Sequence, residues 1–139
     1  MYQRILIAND GSEGAGKALT VALKLAHRLK AGLHMICVEE MARVPATIDE
    51  VVEDKLEQNH RFEEVIARAQ LQAKPARVRL DTHVVPGHAV PSIIEFIERD
   101  GFDLLVIGYM GHSALYNRLI GSTTDRLVEL APCHVLVVK

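Results

Sequence analysis

The stretch that decides the fold is DLLVIGYMG at residues 103–111, together with the triplet GST at residues 121–123. Residues 104–107 form a continuous apolar run, which is typical of a central parallel strand buried on both faces of its sheet. The run ends in Gly108, and Gly111 follows; glycines let the backbone turn sharply or approach a ligand closely. The triplet precedes a helical pattern. The stretch therefore predicts a strand, a glycine-containing loop and a helix, as in α/β proteins.

Four further apolar runs predict strands, and helical patterns separate all five. The predicted strands cover residues 5–8, 33–38, 78–85, 104–107 and 135–138. The third run alternates partly, as a strand near a sheet edge does. Because right-handed crossovers leave only a few topologies for such alternation, we predict an α/β fold. Its core is a doubly wound five-stranded parallel sheet with helices on both faces.

Glycine and proline mark the ends of the predicted helices. Gly32 closes the first helix, and Pro75 is predicted to stop the second, charge-rich helix, which covers roughly residues 48–72. The third helix ends near Gly101, and the fourth ends before Pro132. The acidic residues of the second helix are interpreted as a solvated face.

Composition and charge exclude several classes of protein. The chain has 139 residues, which fits a single domain over residues 1–139. The net charge is −2 and no basic block occurs, so no nucleic-acid partner is expected. No apolar run approaches the ~20 residues that cross a membrane, and no secretory segment opens the chain. Cys37, predicted to lie in the core, and Cys133 are too few for a disulfide framework or a zinc site, so we expect a reduced, cytoplasmic protein.

The carboxyl ends of the strands are where a ligand is expected, because open parallel sheets bind ligands where the strand order reverses. Gly121-Ser122-Thr123 begins the fourth helix, whose N–H groups and dipole favour a phosphate. The hydroxyl groups of Ser122 and Thr123 can add hydrogen-bond donors. The same residues also suit a plain turn with Ser122 as a helix cap, so the local pattern leaves both interpretations open.

The spacing of the glycines favours a nucleotide site. Gly108, Gly111 and Gly121-Ser122 follow the pattern G-2x-G-9x-G-(S/T), which resembles the nucleotide motif of the universal stress protein family. Residues 5–12, ILIANDGS, resemble the first strand and D-G-S turn of that family, and residues 131–138, APCHVLVV, resemble its last strand. The likeness covers nearly the whole chain and is vague from about residue 43 to residue 74.

The resemblance implies a Rossmann-like, adenine nucleotide alpha hydrolase-like fold that binds ATP, ADP or AMP, with or without Mg²⁺. Asp10 would lie at the ribose or adenine side, and Val38 would offer main-chain groups to the adenine edge. The residues that would hold ribose and phosphates are Gly108, Gly111, Gly121, Ser122 and Thr123. Met110 and His112 stand where many members carry polar or basic residues, which predicts weaker ATP binding or a preference for AMP or ADP.

A P-loop is the first rival interpretation. Residues 11–18 fit its pattern up to the last position, where Ala18 has no hydroxyl group for Mg²⁺. Asp10 and Glu13 would also place carboxylates beside the phosphates. The stretch is therefore interpreted as a turn into the first helix, with Ser12 as the N-cap.

A response-regulator receiver is the second rival. Pro86-Gly87-His88 follows the third strand where a receiver needs a phosphorylatable aspartate, so this class is excluded. His88 opens the third helix, and a solvated or capping role is favoured over a phosphate contact.

The sequence thus predicts a nucleotide-binding regulatory protein of the stress response, with at most slow ATP hydrolysis. It places no nucleophile or carboxylate–histidine pair for an efficient chemical step. The alternative is a nucleotide-independent dimeric interaction module of the same fold. Residues 135–138 form an apolar edge strand of the kind that is usually covered or paired, and the resemblance implies a homodimer joined there.

Overall fold

A computed structural model of the chain describes residues 1–40, 48–110 and 121–139. Within these ranges five strands alternate with four helices: β1 Arg4–Ala8, α1 Glu13–Leu29, β2 Gly32–Glu40, α2 Ile48–Ala76, β3 Leu80–Gly87, α3 Ala89–Asp100, β4 Leu104–Gly108, α4 Ser122–Leu130 and β5 His134–Val138. The predicted order of elements is confirmed. Gly111 and His112 lie outside the described residues, so the predictions made for them stay predictions.

The five strands form one parallel sheet in the order β3-β2-β1-β4-β5. The chain starts at the centre with β1, extends to one edge through β2 and β3, and then crosses to β4 and β5. This confirms the predicted doubly wound α/β fold, with β3 and β5 at the edges. The strand order reverses between β1 and β4, which opens a crevice at their carboxyl ends.

The core lies on both faces of the sheet, which explains the continuous apolar runs of the central strands. In β1, Ile5, Leu6 and Ile7 are completely buried. Ile5 and Ile7 belong to the cluster that includes residues of α1 and α2, whereas Leu6 belongs to the cluster with α3 and α4. Cys37 is fully buried in the first cluster, as predicted.

Helix α1 begins and ends where local chemistry supplies the missing hydrogen bonds. The side-chain oxygen of Ser12 accepts a hydrogen bond from the backbone N–H of Ala15 at 3.2 Å, which confirms Ser12 as the N-cap. At the other end Lys30 takes a left-handed conformation with φ 54°, and its N–H reaches the carbonyls of Ala26 and His27.

The prediction that Pro75 stops the second helix is wrong, because α2 continues to Ala76. Proline removes one helical N–H and crowds the carbonyl four residues earlier, but in the last turn this loss is limited. Ala69 and Ala73, each 1% exposed, hold these turns against the core. Arg77 follows the last helical residue with φ 58°, and the N–H of Val78 then donates to the carbonyl of Ala73 at 3.2 Å.

Strands β2 and β3 extend two residues further toward their carboxyl ends than the apolar runs indicated. Their pairing continues through Glu39 opposite Pro86 and Glu40 opposite Gly87. A strand ladder is made by backbone groups, so it continues where side chains turn polar. The extension carries Glu40 to the edge of the sheet where the crevice opens.

Candidate functional site

A cavity of about 370 Å³ lies at the carboxyl ends of the strands beside the reversal of strand order. One part of its wall is apolar and comes from strand ends and from α3 and α4: Ala8, Ile36, Val38, Ile107, Ala89, Ile93 and Leu127. Another part of the lining carries polar or small groups from strand ends, turns, helix starts and the middle of α2: Asn9, Asp10, Ser12, Glu40, Arg61, Gly108, Gly121, Thr123 and Thr124. The cavity suits a ligand with one flat apolar part and one polar part.

The turn after β1 holds Asp10 at this cavity. The Asn9 side-chain oxygen accepts from the N–H of Gly11 at 2.9 Å, and Asp10 Oδ1 accepts from the N–H of Ser12 at 3.0 Å. Gly11 has φ 83°, a left-handed conformation that glycine adopts without strain. These bonds build the turn from Asn9 and the D-G-S residues that follow it. Asp10 lines the cavity, and its predicted ligand contact stays a prediction.

Gly108 ends β4 at a point where two backbones nearly touch. A Cβ atom on Gly108 would lie 2.7 Å from the carbonyl carbon of Gly14, in the first turn of α1. A Cβ atom on Gly14 would in turn overlap the carbonyl oxygen of Met110. Gly108 is therefore required by packing against α1 as well as lining the cavity. Sequence reasoning missed Gly14, because nothing local indicates this long-range approach.

The two ends of the loop after β4 are joined by backbone hydrogen bonds. The N–H of Gly121 donates to the carbonyl of Tyr109 at 3.1 Å, and the N–H of Tyr109 donates to the carbonyl of Val138 at 2.8 Å. The hydroxyl of Thr124, a residue only 6% exposed, donates to the carbonyl of Gly108 at 2.8 Å. Thr124 thus ties the first turn of α4 to the end of β4, a role that the sequence analysis did not assign.

The start of α4 faces the cavity. Gly121 occupies the N-cap position, and its carbonyl accepts from the N–H of Asp125 at 2.9 Å. Glycine offers no side-chain acceptor to the other N–H groups of the first turn. Gly121 and Thr123 line the cavity, and their predicted contacts to ribose and phosphates stay predictions. Ser122 is exposed and is not among the lining residues, so its predicted contact stays a prediction.

The start of α3 is covered by a carboxylate. Glu40 Oε1 accepts from the backbone N–H of Ala89 at 3.2 Å, and Glu40 Oε2 lies 3.3 Å from Nδ1 of His88. His88 sits at the N-cap position without a side-chain cap bond of its own. Glu40 therefore satisfies this helix terminus in place of a bound anion, which sequence reasoning did not foresee.

Val38 lies on β2 beside this position and lines the apolar part of the cavity. It pairs with Val85 of β3 and is partly buried. Of the predicted site residues, the structure thus brings Asp10, Val38, Gly108, Gly121 and Thr123 to one cavity.

Three further observations concern metal binding, thiol chemistry and membrane insertion. In the described part of the chain, no three His, Cys, Asp or Glu side chains are grouped so that they could hold a metal ion. Burial raises the pKa of the Cys37 thiol to about 12, so this thiol is uncharged near neutral pH. Among the described residues, no helix combines the length and the apolar character needed to cross a bilayer.

The chain is similar to known proteins over its whole length. Residues 1–139 match the model of the universal stress protein family. A universal stress protein of Methanocaldococcus jannaschii is 29% identical over 143 residues, covering 100% of this chain and 83% of that protein. The structure of universal stress protein UspA from Lactobacillus plantarum superposes with a TM-score of 0.88 at 29% identity, covering 99% and 98% of the two chains. A universal stress protein solved in complex with cAMP shares the fold, with a TM-score of 0.78 at 24% identity over 99% and 97% of the two chains.

Proposed function

Because the chain belongs to the universal stress protein family, we propose that its cavity binds an adenine nucleotide, with ATP as the principal ligand, and that the protein acts as a regulator in the stress response. The observation that carries this proposal is the cavity at the strand reversal, which joins an apolar wall to the uncapped start of α4. Its volume of about 370 Å³ is in the range of small-molecule sites. The fold that the chain shares with the cAMP complex holds an adenine nucleotide in that protein.

The orientation of the bound nucleotide is inferred from how the N-termini of the helices are capped. Ser12 caps α1 and Glu40 covers the start of α3, whereas the N-cap residue of α4, Gly121, makes no side-chain cap bond. The phosphates therefore bind at α4, where N–H groups and the helix dipole favour an anion. Gly108, Gly111, Gly121, Ser122 and Thr123 are the proposed ribose and phosphate contacts.

The base then occupies the apolar part of the cavity. There the adenine ring packs between Val38 and Ile93, and the main chain at Val38 meets its polar edge. Asp10 lies on the ribose or adenine side. Mg²⁺, where present, arrives with the phosphates, since the described residues offer no ready metal cluster.

Regulation rather than efficient catalysis is proposed because the carboxylate–histidine pair beside the cavity, Glu40 with His88, is engaged at the start of α3, where Glu40 also accepts from the N–H of Ala89. Asp10 also lines the cavity, and its Oδ1 atom already accepts a hydrogen bond from the N–H of Ser12. At most slow hydrolysis of ATP is expected. A hydrolysis assay that found turnover of several per second would contradict this part of the proposal.

The protein is also proposed to be a cytoplasmic homodimer joined along β5. This strand is an edge of the sheet, and Val135, Leu136, Val137 and Val138 are each only partly buried. Partly exposed apolar side chains beside unpaired backbone groups favour pairing with a second copy.

A nucleotide-independent interaction module remains the second candidate, and one observation favours it. The close approach of Gly108 to Gly14 explains a glycine at position 108 without any ligand. In that case the same fold would serve only to present a surface to a protein partner.

Calorimetric titration of ATP, GTP and adenosine distinguishes the two candidates. The proposal predicts a micromolar Kd for ATP with one site per chain, weaker binding of GTP, and loss of affinity in Thr123→Val. Removing one hydrogen bond to a charged oxygen weakens binding by about tenfold or more. The matched control is Thr20→Val, on α1 and not among the cavity residues. The absence of binding at millimolar ATP would favour the interaction module.

A further inference from the structure

The charges around the cavity come from three different elements. Among the described lining residues, Asp10 and Glu40 carry carboxylates and Arg61, on α2, carries the one permanent positive charge. Glu40 is engaged with the start of α3, where it accepts from the N–H of Ala89 at 3.2 Å. A strongly anionic ligand therefore meets two acidic groups, and Arg61 is the cation that offsets them.

Arg61 is held in a position where it can reach a ligand. Its guanidinium carbon lies 4.6 Å from the centroid of the Phe62 ring, and Phe62 is only 1% exposed. The arginine itself is exposed and lines the cavity, and its head group stacks on a buried ring.

Arg61 and Asp10 both line the cavity, and the charge of each acts on the Cys37 thiol of β2. Burial raises the pKa of the Cys37 thiol, the charge of Arg61 lowers it, and the charge of Asp10 raises it. Both charges are therefore close enough to act at the carboxyl half of β2, where Cys37 lies. Arg61 belongs to the polar part of the cavity lining, as do Gly121 and Thr123 at the start of α4, the proposed phosphate site.

We propose that Arg61 is the residue by which this cavity selects anionic ligands, and that its guanidinium group contacts the phosphates of the bound nucleotide. This role rests on the nucleotide binding proposed above. A guanidinium group suits it because its planar set of N–H donors matches phosphate oxygens in pairs. Met110, which follows β4, carries no positive charge for the phosphates. Arg61 supplies that charge from α2 instead.

The test compares ligands that differ only in phosphate number. ATP, ADP, AMP and adenosine are titrated calorimetrically into the wild type, Arg61→Gln, Arg61→Lys and Arg68→Gln, at low and at physiological salt. Arg68 is the matched control, since it is exposed on the same helix and is not a cavity residue. Thermal unfolding without ligand checks that each variant folds like the wild type.

The expected result is a loss that grows with phosphate number. Arg61→Gln weakens ATP by about 10- to 100-fold and adenosine by less than about twofold. Arg61→Lys shows a smaller loss, and salt reduces the difference because the group is exposed. Arg68→Gln binds like the wild type.

Two outcomes would overturn the role of Arg61 while leaving nucleotide binding intact. One is unchanged ATP affinity in Arg61→Gln. The other is an equal loss for ATP and adenosine, which would place the arginine at the base instead of the phosphates. A wild type that binds none of the four ligands would instead overturn the proposed function, and the role of Arg61 with it.

Discussion

Replacing Gly14 by alanine should destabilise the protein, and the packing of α1 against the end of β4 sets the size of the effect. A Cβ atom at Gly14 would overlap the carbonyl oxygen of Met110, a backbone atom that cannot rotate away. Overpacking of this kind costs about 1–3 kcal/mol, whereas alanine is favoured over glycine in a helix by about 0.5–1 kcal/mol. The net effect is a loss of about 0.5–2 kcal/mol in the free energy of unfolding.

Gly16 provides the matched control for this prediction. It lies two residues further along the same helix, and a Cβ atom there would meet nothing within 4 Å. Gly16→Ala should therefore stabilise the protein by about 0.5–1 kcal/mol, the helix preference alone. The two substitutions make the same chemical change and should shift the stability in opposite directions.

Thermal and urea unfolding of the two variants measure the difference. For a chain of this size, Gly14→Ala should lower the Tm by roughly 2–8 °C and Gly16→Ala should raise it by roughly 2–4 °C. If Gly14→Ala were as stable as Gly16→Ala, the close approach of α1 to residues 108–110 would be wrong. The argument that packing against α1 requires a glycine at position 108 would then fail as well.

Three other predictions concern a buried hydroxyl, a histidine pair and the edge strand β5. Thr124→Val removes the hydroxyl that donates to the carbonyl of Gly108 at 2.8 Å, and it should lower the free energy of unfolding, measured in urea, by about 1–2 kcal/mol. Thr124→Ser keeps the hydroxyl and should stay near the wild type. Equal stability of all three proteins would refute the role of this bond. Burial lowers the pKa of His34, against the opposing charge of Asp81, and its Nδ1 lies 2.9 Å from Nε2 of His83. The folded state therefore resists protonation of His34, so its contribution to the free energy of unfolding is fully present above pH ~6.5 and is lost as the pH falls below that value. His34→Gln should flatten this loss between pH ~7.5 and ~5.5. A parallel decline in both proteins would contradict the assignment to His34. Leu136→Pro on the edge strand β5 should shift the protein from dimer to monomer in light scattering, with circular dichroism to verify the fold, and an unchanged dimer mass would exclude this interface.

Much of the fold could be predicted because it depends on local patterns. The continuous run of β1 reflects burial on both faces, and the N-cap at Ser12 depends on a side chain three residues from its partner. The early stop at Pro75 was wrong because tertiary burial of Ala69 and Ala73 outweighed a local preference. Local rules therefore predicted the elements, and packing set some of their ends.

The candidate site divides in the same way. Asp10 and Val38 come to the site from the family resemblance, and Gly121 comes from its place at a helix start on the edge where ligands bind. Arg61 could not, since it lies in the middle of a charge-rich helix whose polar residues were interpreted as a solvated face. Glu40 was missed because its bond to Ala89 joins residues 49 positions apart, and no sequence pattern records that contact.

Thermal unfolding with and without ATP tests the central claim most directly. At a hundredfold excess over Kd, binding adds about 2.7 kcal/mol to the free energy of unfolding, which for a domain of this size raises the Tm by roughly 5–12 °C. Nucleotide binding at the cavity predicts this rise with ATP, and its reduction in Arg61→Gln. No rise at millimolar ATP would contradict nucleotide binding and would leave the interaction module as the function to pursue.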